Sequence, residues 1–510
     1  MPTFAAIDIG SNSVRLKIAK LVRGRLETVH EDREVTRLGA SVFGSGLLEP
    51  EAISQTVKVL SRFHRAVTSI GADRVRVVAT SAVRDARNSA SFMEWIRSAT
   101  GWKPEIITGI EEGRLIHLGV MTNTRVGPGP LLLVDLGGGS CELTVSVDGQ
   151  IRSMVSLPLG AVRLTEEFIQ NDPPKKKELA RLQDLIDEEI GRWEQRIKQR
   201  GLRNAIATSG TAETLAALAA NLEKSSRRRN YVSQKAMVGI VRELTKRNLA
   251  QRRSLQGLGP RRAEIVIAGS MVYRTIVDRF DLPGFQFSPL GLRDGMLAQM
   301  VAESGEPSAI GKRIETERQS ALMDAARHYG VDMDYAQHVR ELALSLFRQL
   351  KPVHRLPQEY EEWLSSAAML QEVGSFINRS GRHRHAYYLI SNSEIYGFTT
   401  AQRRLIGAIA RYVGKSRPSL QDRALRLLPA PDRQLLPKAV MLLRMARALN
   451  QGRRKAVVGV RLRVSHGRVN FSLTTKRGGA ELEEWSLLKE RSYFREVFGR
   501  DLAVTMGVAN

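Results

Sequence analysis

Two short segments place acids, glycines and hydroxyls at one repeated spacing. In the first, Asp8 is followed by Gly10, Ser11, Asn12 and Ser13; in the second, Asp135 is followed by Gly137, Gly138, Gly139 and Ser140. Each follows an apolar run, so each reads as a strand that ends in a carboxylate and enters a tight turn. Successive backbone N–H groups of such a turn can converge on phosphate oxygens. Glycine permits positive φ and close approach, and the serine hydroxyl adds a donor. Asp135 and Glu142 flank the second turn, where carboxylates suit Mg2+ held directly or through waters. The plain alternative is a pair of hairpin turns whose glycines serve geometry alone.

Duplication weighs against that alternative. FAAIDIGSNSVRLKIAKL (4–21) lies over LLLVDLGGGSCELTVSV (131–147) with Asp8 on Asp135, Gly10 on Gly137, Ser13 on Ser140 and Leu16 on Leu143, a period of 127 residues. That is far too long for a solenoid unit. It implies two similar lobes facing each other. Arg15 stands where the second copy has Glu142, so one loop would grip phosphate and the other would lie on the metal side, unless Arg15 is simply a solvated strand residue.

The elements that must position these turns alternate between strands and helices. Apolar positions at helical spacing over 49–70 are followed by strand 74–84, a helix over 89–99, strand 105–108 and a helix over 111–121. After the second copy come a helical stretch at 175–199, strand 205–210, helix 212–222, a polar connection at 225–230, and helices over 233–248 and 261–279. This order predicts α/β layers. Beyond about residue 303 strand signals vanish and helices dominate (309–328, 334–350, 359–377, 400–413, 437–450), until 457–475 alternates around Gly467 ahead of a helix near 489–497. The expected domains are therefore 1–125, 126–303, an all-helical 304–455 and a small α+β segment 456–510.

At 510 residues the chain is too long for one core. With 42% apolar and 26% charged residues it is neither mainly disordered nor collagen-like. No run approaches the 18 apolar residues of a membrane span, and the N-terminus lacks a basic leader. One cysteine, Cys141, excludes an intrachain disulfide and suits a reducing cytoplasm. The net charge is +25 with a pI near 10.5, which favours a polyanionic partner. That charge is spread: residues 304–510 carry 34 Lys and Arg against 20 Asp and Glu. Only 6% of residues are aromatic and no nucleic-acid module is recognisable, which argues against nucleic acid.

The paired DIGSNS and DLGGGS loops, with ATSGT at 207–211, resemble the actin-like, sugar-kinase and heat-shock ATPase superfamily. Within it, ATSAVRDARN (79–88), IITGIEEGRLI (106–116), RRAEIVIAG (261–269) and SPLGLRDGML (288–297) resemble the exopolyphosphatase and guanosine pentaphosphate phosphohydrolase family. The resemblance implies a duplicated, two-lobed actin-like (ribonuclease H-like) half over residues 4–303. It implies that Glu112 is the carboxylate that orients or deprotonates the attacking water, although a helix N-terminal acid would also suit the helix dipole there, and Glu111 is its neighbour and rival. It further implies that Asp135 and Glu142 are Mg2+-linked, that Arg84 is a cationic phosphate contact, and that the loops Gly10–Ser13 and Gly137–Ser140, with Gly210 and Thr211, hold phosphate oxygens. Another divalent ion, or an added monovalent one, is compatible. Arg262 and Arg293 match family arginines, or else pair with Glu264 or Asp294.

The helical third resembles a degenerate HD-type domain. Gln371-Glu372 stands where an active relative has His-Asp, and no Asp occurs in 441–450, so the remaining His338, His383 and His385 do not complete a metal site. Arg379, Arg382, His383, Arg384 and His385 instead form a dense cationic set, either a polyanion track or a solvated charged surface. The expected activity is hydrolytic release of terminal orthophosphate from inorganic polyphosphate. Guanosine pentaphosphate hydrolysis is the alternative, and a polyphosphate- or alarmone-binding regulatory protein with weak turnover is a third. A homodimer is compatible with the resemblance; a kinase is disfavoured because no acceptor site is recognisable.

Overall fold

The computed structural model describes residues 1–510 except 125, 224–229, 305–308, 394, 415, 477–478 and 509–510, and of residues 223, 309 and 508 it describes the backbone alone. Most of the polar connection expected at 225–230 therefore lies outside the described residues. The chain forms two compact units, Met1–Glu315 and Thr316–Asn510.

The first unit holds two sheets built on one plan. Strands β1 (Thr3–Ile9), β2 (Val14–Val22), β3 (Arg25–Glu34), β4 (Arg74–Ala79) and β5 (Glu105–Ile106) are ordered β3–β2–β1–β4–β5. Strands β6 (Pro130–Leu136), β7 (Cys141–Val147), β8 (Gln150–Leu157), β9 (Asn204–Thr208), β10 (Tyr231–Ser233) and β11 (Gly284–Phe287) are ordered β10–β11–β9–β6–β7–β8. In each, an antiparallel three-strand meander is followed by a strand parallel to its first member: β4 beside β1, and β9 beside β6. β1 and β6 are central and covered on both faces, which is why they read as nearly unbroken apolar runs.

Two helices, Gly109–Asn123 and Leu292–Ala302, lie between the sheets and are buried almost throughout. They approach so closely that a Cβ on Gly295 would fall 1.8 Å from the Leu115 carbonyl oxygen, and one on Gly119 would fall 2.5 Å from that of Gly291. One apolar cluster joins both sheets across them: Phe4, Ala6 and Val78 from the first, Leu131, Leu133 and Ile206 from the second, with Leu115, Ile116 and Met296. This packing fixes the first turn of Gly109–Asn123, and with it Glu111 and Glu112, between the two glycine loops.

The second unit is helical, with Met333–Gln349, Tyr360–Leu370, Thr400–Arg411 and Ala430–Ala448 around one core. The helix expected over 359–377 stops at Leu370 and continues only as a 3-10 turn, Val373–Phe376. The cationic stretch at 378–390 contributes a further helix, Arg382–Asn392, which buries Ala386 and Ile390. The alternating segment forms the hairpin of β12 (Val457–Ser465) and β13 (Arg468–Thr475); a third strand not foreseen, β14 (Asp501–Val508), runs parallel to β13. Val457, Phe471 and Phe494 share the helices' core with Leu346, Leu364 and Met441.

Candidate active site

The two glycine turns are geometric duplicates. Gly10 N–H donates to Ser13 O at 3.1 Å, and Gly137 N–H donates to Ser140 O at 2.9 Å. The strand registers agree too, with Asp8 opposite Arg15 and Asp135 opposite Glu142. In the second turn three successive carbonyls face the helix Ala161–Phe168. Ala161 N–H reaches Gly137 O at 3.0 Å, Val162 N–H reaches Gly138 O at 2.8 Å, and Arg163 Nε reaches Gly139 O at 2.9 Å. Across a trans peptide the next N–H points the opposite way. The N–H groups of Gly138, Gly139 and Ser140 are thus turned away from that helix, as donors an anion could use. In the first turn Ser11 O and Asn12 O accept from the Gly39 and Arg37 N–H groups at 2.6 and 3.1 Å, which turns the Asn12 and Ser13 N–H groups the other way.

The loops press together. A Cβ on Gly138 would fall 2.9 Å from Ser11 Cβ, and one on Gly139 would fall 2.4 Å from the Phe43 ring. Here glycine is required by close approach. Beside the contact opens a cleft of about 470 Å3, lined by Gly10, Ser11, Asn12, Ser13, Gly137, Gly138, Ser140 and Gly210 together with Asp8, Asp135 and Glu112. Gly139, Thr211, Arg84 and Glu142 are not part of this lining. Thr211 is buried and faces Gly269, and Glu142 accepts from Ser156 Oγ at 2.8 Å.

Four acids gather here, Glu112 and Glu142 buried and Asp8 and Asp135 half-buried. Burial, then the Glu142 charge, raises Glu112 well above the ordinary carboxylate range, against the pull of Arg84. Burial and Asp135 push Glu142 up to about 8, while hydrogen bonds from Ser156 and Ser140 oppose. Burial also raises Asp135, opposed by its hydrogen bond from Thr208, and Asp8, opposed by Arg15 and Arg293. Asp8 Oδ1, Glu112 Oε2 and Glu142 Oε2 are buried without a hydrogen-bond partner. The two rivals at the helix start separate clearly. Glu111 is held by buried Arg114, with Nε and Nη2 both donating at 2.9 Å, whereas Glu112 turns to the cleft with Arg84 Nη1 3.7 Å away.

The same cleft also carries cations. Arg15, Arg33, Arg262 and Arg293 all line the cleft. Burial and the neighbouring Arg33 and Arg15 push Arg262 down to about 9, and burial with Arg15 lowers Arg293 and Arg33. The structural pairings considered for them go elsewhere: Glu264 binds Arg37 at 2.9 Å and Arg253 at 3.0 Å, and Asp294 binds Lys17 at 2.8 Å.

The profile of the Ppx/GppA phosphatase family matches residues 17–304, and that of Ppx/GppA phosphatase domain III matches residues 318–491. This chain belongs to the Ppx/GppA phosphatase family. Its first unit therefore has the two-lobed actin-like fold, and the chain is a hydrolase. A crystal structure of the Aquifex aeolicus family member is 30% identical, with a TM-score of 0.52, and the match covers 60% of this chain and 99% of that one. An exopolyphosphatase-like protein is 31% identical, with a TM-score of 0.55, covering 58% and 96%. An exopolyphosphatase from Cytophaga hutchinsonii, 23% identical with a TM-score of 0.56 and covering 59% and 98%, shares the fold.

For a Ppx/GppA chain the acids raise the question of a cation. Their unpartnered oxygens and mutual repulsion fit a hard divalent ion. Among the described residues no three His, Cys, Asp or Glu side chains converge closely enough to hold an ion by themselves. Asp8, Asp135 and Glu142 would thus share such an ion with water ligands, as Mg2+ permits. No helix among the described residues is long and apolar enough to cross a membrane.

In the second unit, Arg379 and Arg384 are exposed and His385 is half-buried, while Arg382 lies 3.9 Å from Glu372. His383 is half-buried, and burial with Arg447 and Arg382 pushes it down to about 4, so it adds no charge near neutrality. Gln371 is buried, and Glu372 pairs with Arg453.

Sequence reasoning missed Asp8, Arg33, Glu213 and Ser209 as site residues. Asp8 had a signal, since it overlies Asp135 in the repeat. Ser209 joins β9 to its helix at a φ of 77°, a conformation costly for serine, with Oγ donating to Leu136 O at 2.7 Å. No spacing announces that.

Proposed function

We propose that this chain is an exopolyphosphatase that uses Mg2+ to release terminal orthophosphate from inorganic polyphosphate. The observation that carries it is Glu112, whose carboxylate oxygen Oε2 is buried without a hydrogen-bond partner, beside Arg84, at a cleft lined by the two glycine loops. The loops Gly10–Ser13 and Gly137–Ser140, with Gly210, hold the terminal phosphoryl oxygens, and Arg15, Arg262 and Arg293 neutralise the phosphates behind it. A water held by Glu112 attacks the terminal phosphorus and gives its proton to that carboxylate. The bond to the bridging oxygen breaks, and the shortened chain leaves with the electron pair. Phosphoryl transfer needs such positioning and charge neutralisation more than covalent help. A divalent ion at Asp8, Asp135 and Glu142 would supply further neutralisation of phosphate charge. Raised affinity for protons in Glu112 suits a base working near neutrality.

A second reading is guanosine pentaphosphate hydrolysis. It is favoured by Phe287, Leu290, Glu31 and Glu213 in the same lining, because an apolar face and carboxylate acceptors suit a base better than a bare polyphosphate. Orthophosphate release from long polyphosphate, tripolyphosphate and guanosine pentaphosphate, measured side by side with Mg2+, tests both. Release from the nucleotide alone would reverse the order. Release from none would leave a binding protein.

A further inference from the structure

We infer that Arg163 is a positioning residue that sets the third N–H donor of the second glycine loop and ties it to the catalytic helix; this rests on that loop holding phosphate, as proposed above.

Arg163 belongs to no motif singled out in the sequence. It lies in the first turn of the helix Ala161–Phe168, whose backbone N–H groups already hold the Gly137 and Gly138 carbonyls. The third carbonyl, that of Gly139, is beyond the reach of the helix backbone and is held instead by Arg163 Nε at 2.9 Å. The orientation of the Gly139–Ser140 peptide, and so the direction of the Ser140 N–H, depends on that side chain. Gly139 carries no Cβ and so little intrinsic resistance to a peptide flip. Without the guanidinium the carbonyl is free to turn into the cleft and present an acceptor to an anion.

The rest of Arg163 faces the first lobe. Nη2 bonds Asp85, and the guanidinium stacks over Phe43 with its carbon 4.0 Å from the ring centroid. Asp85 follows Arg84, whose Nε lies 3.9 Å from its carboxylate and whose Nη1 lies 3.7 Å from Glu112. The series Glu112, Arg84, Asp85, Arg163 and Gly139 therefore joins the base to the loop across the two lobes. Phe43 also occupies the space where a Gly139 side chain would be, so ring, guanidinium and loop form one stack. Arginine suits the place because one planar fork serves carbonyl, carboxylate and ring at once, which a lysine cannot do.

The test compares Arg163→Lys, Arg163→Gln and Asp85→Asn in the full chain, with Mg2+ and whichever of the three substrates the wild type hydrolyses best. The expected result is a kcat lower by about 10- to 100-fold in Arg163→Gln and Arg163→Lys, with KM within about threefold and an unchanged thermal midpoint. Arg163→Gln combined with Asp85→Asn should lose less than the product of the single effects, because both break one series. Millimolar guanidinium ion should restore part of the turnover of Arg163→Gln, and none to the wild type. Wild-type kcat in Arg163→Gln, or a loss that tracks a lowered thermal midpoint and ignores guanidinium, would overturn the inference. Should the wild type hydrolyse none of the substrates, the proposed function fails, and Arg163 is judged by equilibrium binding of orthophosphate to the full chain. A weaker affinity in Arg163→Gln supports the positioning role; equal affinity, or no binding by the wild type, overturns it.

Discussion

Arg84 holds its guanidinium 3.7 Å from Glu112 while donating at 2.9 Å to the carbonyl of Ile107, which precedes the N-cap of the helix that carries Glu112. The resemblance had assigned this arginine to phosphate. Its bond to the backbone makes it a fixed positive neighbour of Glu112, which offsets part of the repulsion that Glu142, Asp135 and Asp8 impose on that carboxylate. A carboxylate among three others would otherwise hold its proton more tightly still.

Glu112→Gln should lower turnover by about 100- to 10,000-fold and leave substrate affinity nearly unchanged, because the amide cannot take the water proton. Glu111→Gln should act differently. It leaves Arg114, fully buried, without its carboxylate, so the loss should be about 3–5 kcal/mol of stability. Kinetics beside denaturant unfolding of both variants check this. A stable, inactive Glu111→Gln with an active Glu112→Gln would exchange the roles.

Cation binding should release protons. Glu142 sits at about 8 and Glu112 is also raised, so near pH 7 part of this group is protonated without an ion. Both folded values lie above the ordinary 4.5, so in the cation-free chain the contribution of Glu142 to stability is lost as pH rises from there through about 8, and that of Glu112 is lost in the same direction. A divalent ion binds the ionised forms, so its affinity should climb over the same window. Calorimetry at pH 7 in buffers of different ionisation enthalpy counts the released protons. Glu142→Gln should release fewer, and its kcat/KM should keep its value to lower pH because Glu112 loses a negative neighbour. An unchanged proton count in that variant would remove Glu142 from the cation site.

The duplicated loops were legible because one strand-turn-strand pattern, repeated after 127 residues, dictates one hydrogen-bonded turn twice. The ion pair of Glu111 also left a trace in the chain, since Arg114 follows it at the three-residue spacing of a helical pair. What the sequence could not display depends on distant packing. Arg163 meets Gly139, Asp85 and Phe43 only after the lobes close on one another. The cationic lining of Arg15, Arg33, Arg262 and Arg293 assembles residues from four separate segments. In the second unit, charge masked periodicity: the residues read as a polyanion track include the start of an amphipathic helix, whose Ala386 and Ile390 reach the core.

Along the stretch that leads into and begins that helix the cations are no longer equivalent. Arg379 and Arg384 are exposed, whereas Arg382 neighbours Glu372. If this surface binds a long polyanion, Arg379→Ala with Arg384→Ala should weaken long-chain polyphosphate several-fold at low salt and leave tripolyphosphate unaffected. The slope of affinity against salt should become shallower, because fewer counterions are released. Equal losses for both lengths, or an unchanged slope, would assign these charges to solubility.

His383 provides a test of the second unit's packing that is independent of substrate. Its ring lies against Gly414, where an added Cβ would fall 2.6 Å from Cδ2, and it faces Arg382, Arg444 and Arg447. Burial, more than these charges, pushes it from the ordinary 6.5 down to about 4. Above pH 6.5 the ring is neutral in both folded and unfolded chains and adds no pH dependence. Between 6.5 and about 4 the unfolded chain takes a proton that the folded unit refuses, so stability must fall as pH falls. Wild type should therefore lose denaturant midpoint between pH 7 and 5, and His383→Gln, which cannot titrate, should lose less over the same interval. The comparison is between slopes, so a cavity or an altered hydrogen bond in the variant shifts both of its points together and leaves the conclusion intact. Parallel curves for the two proteins would mean that the ring is solvated and takes its proton as freely when folded as when unfolded.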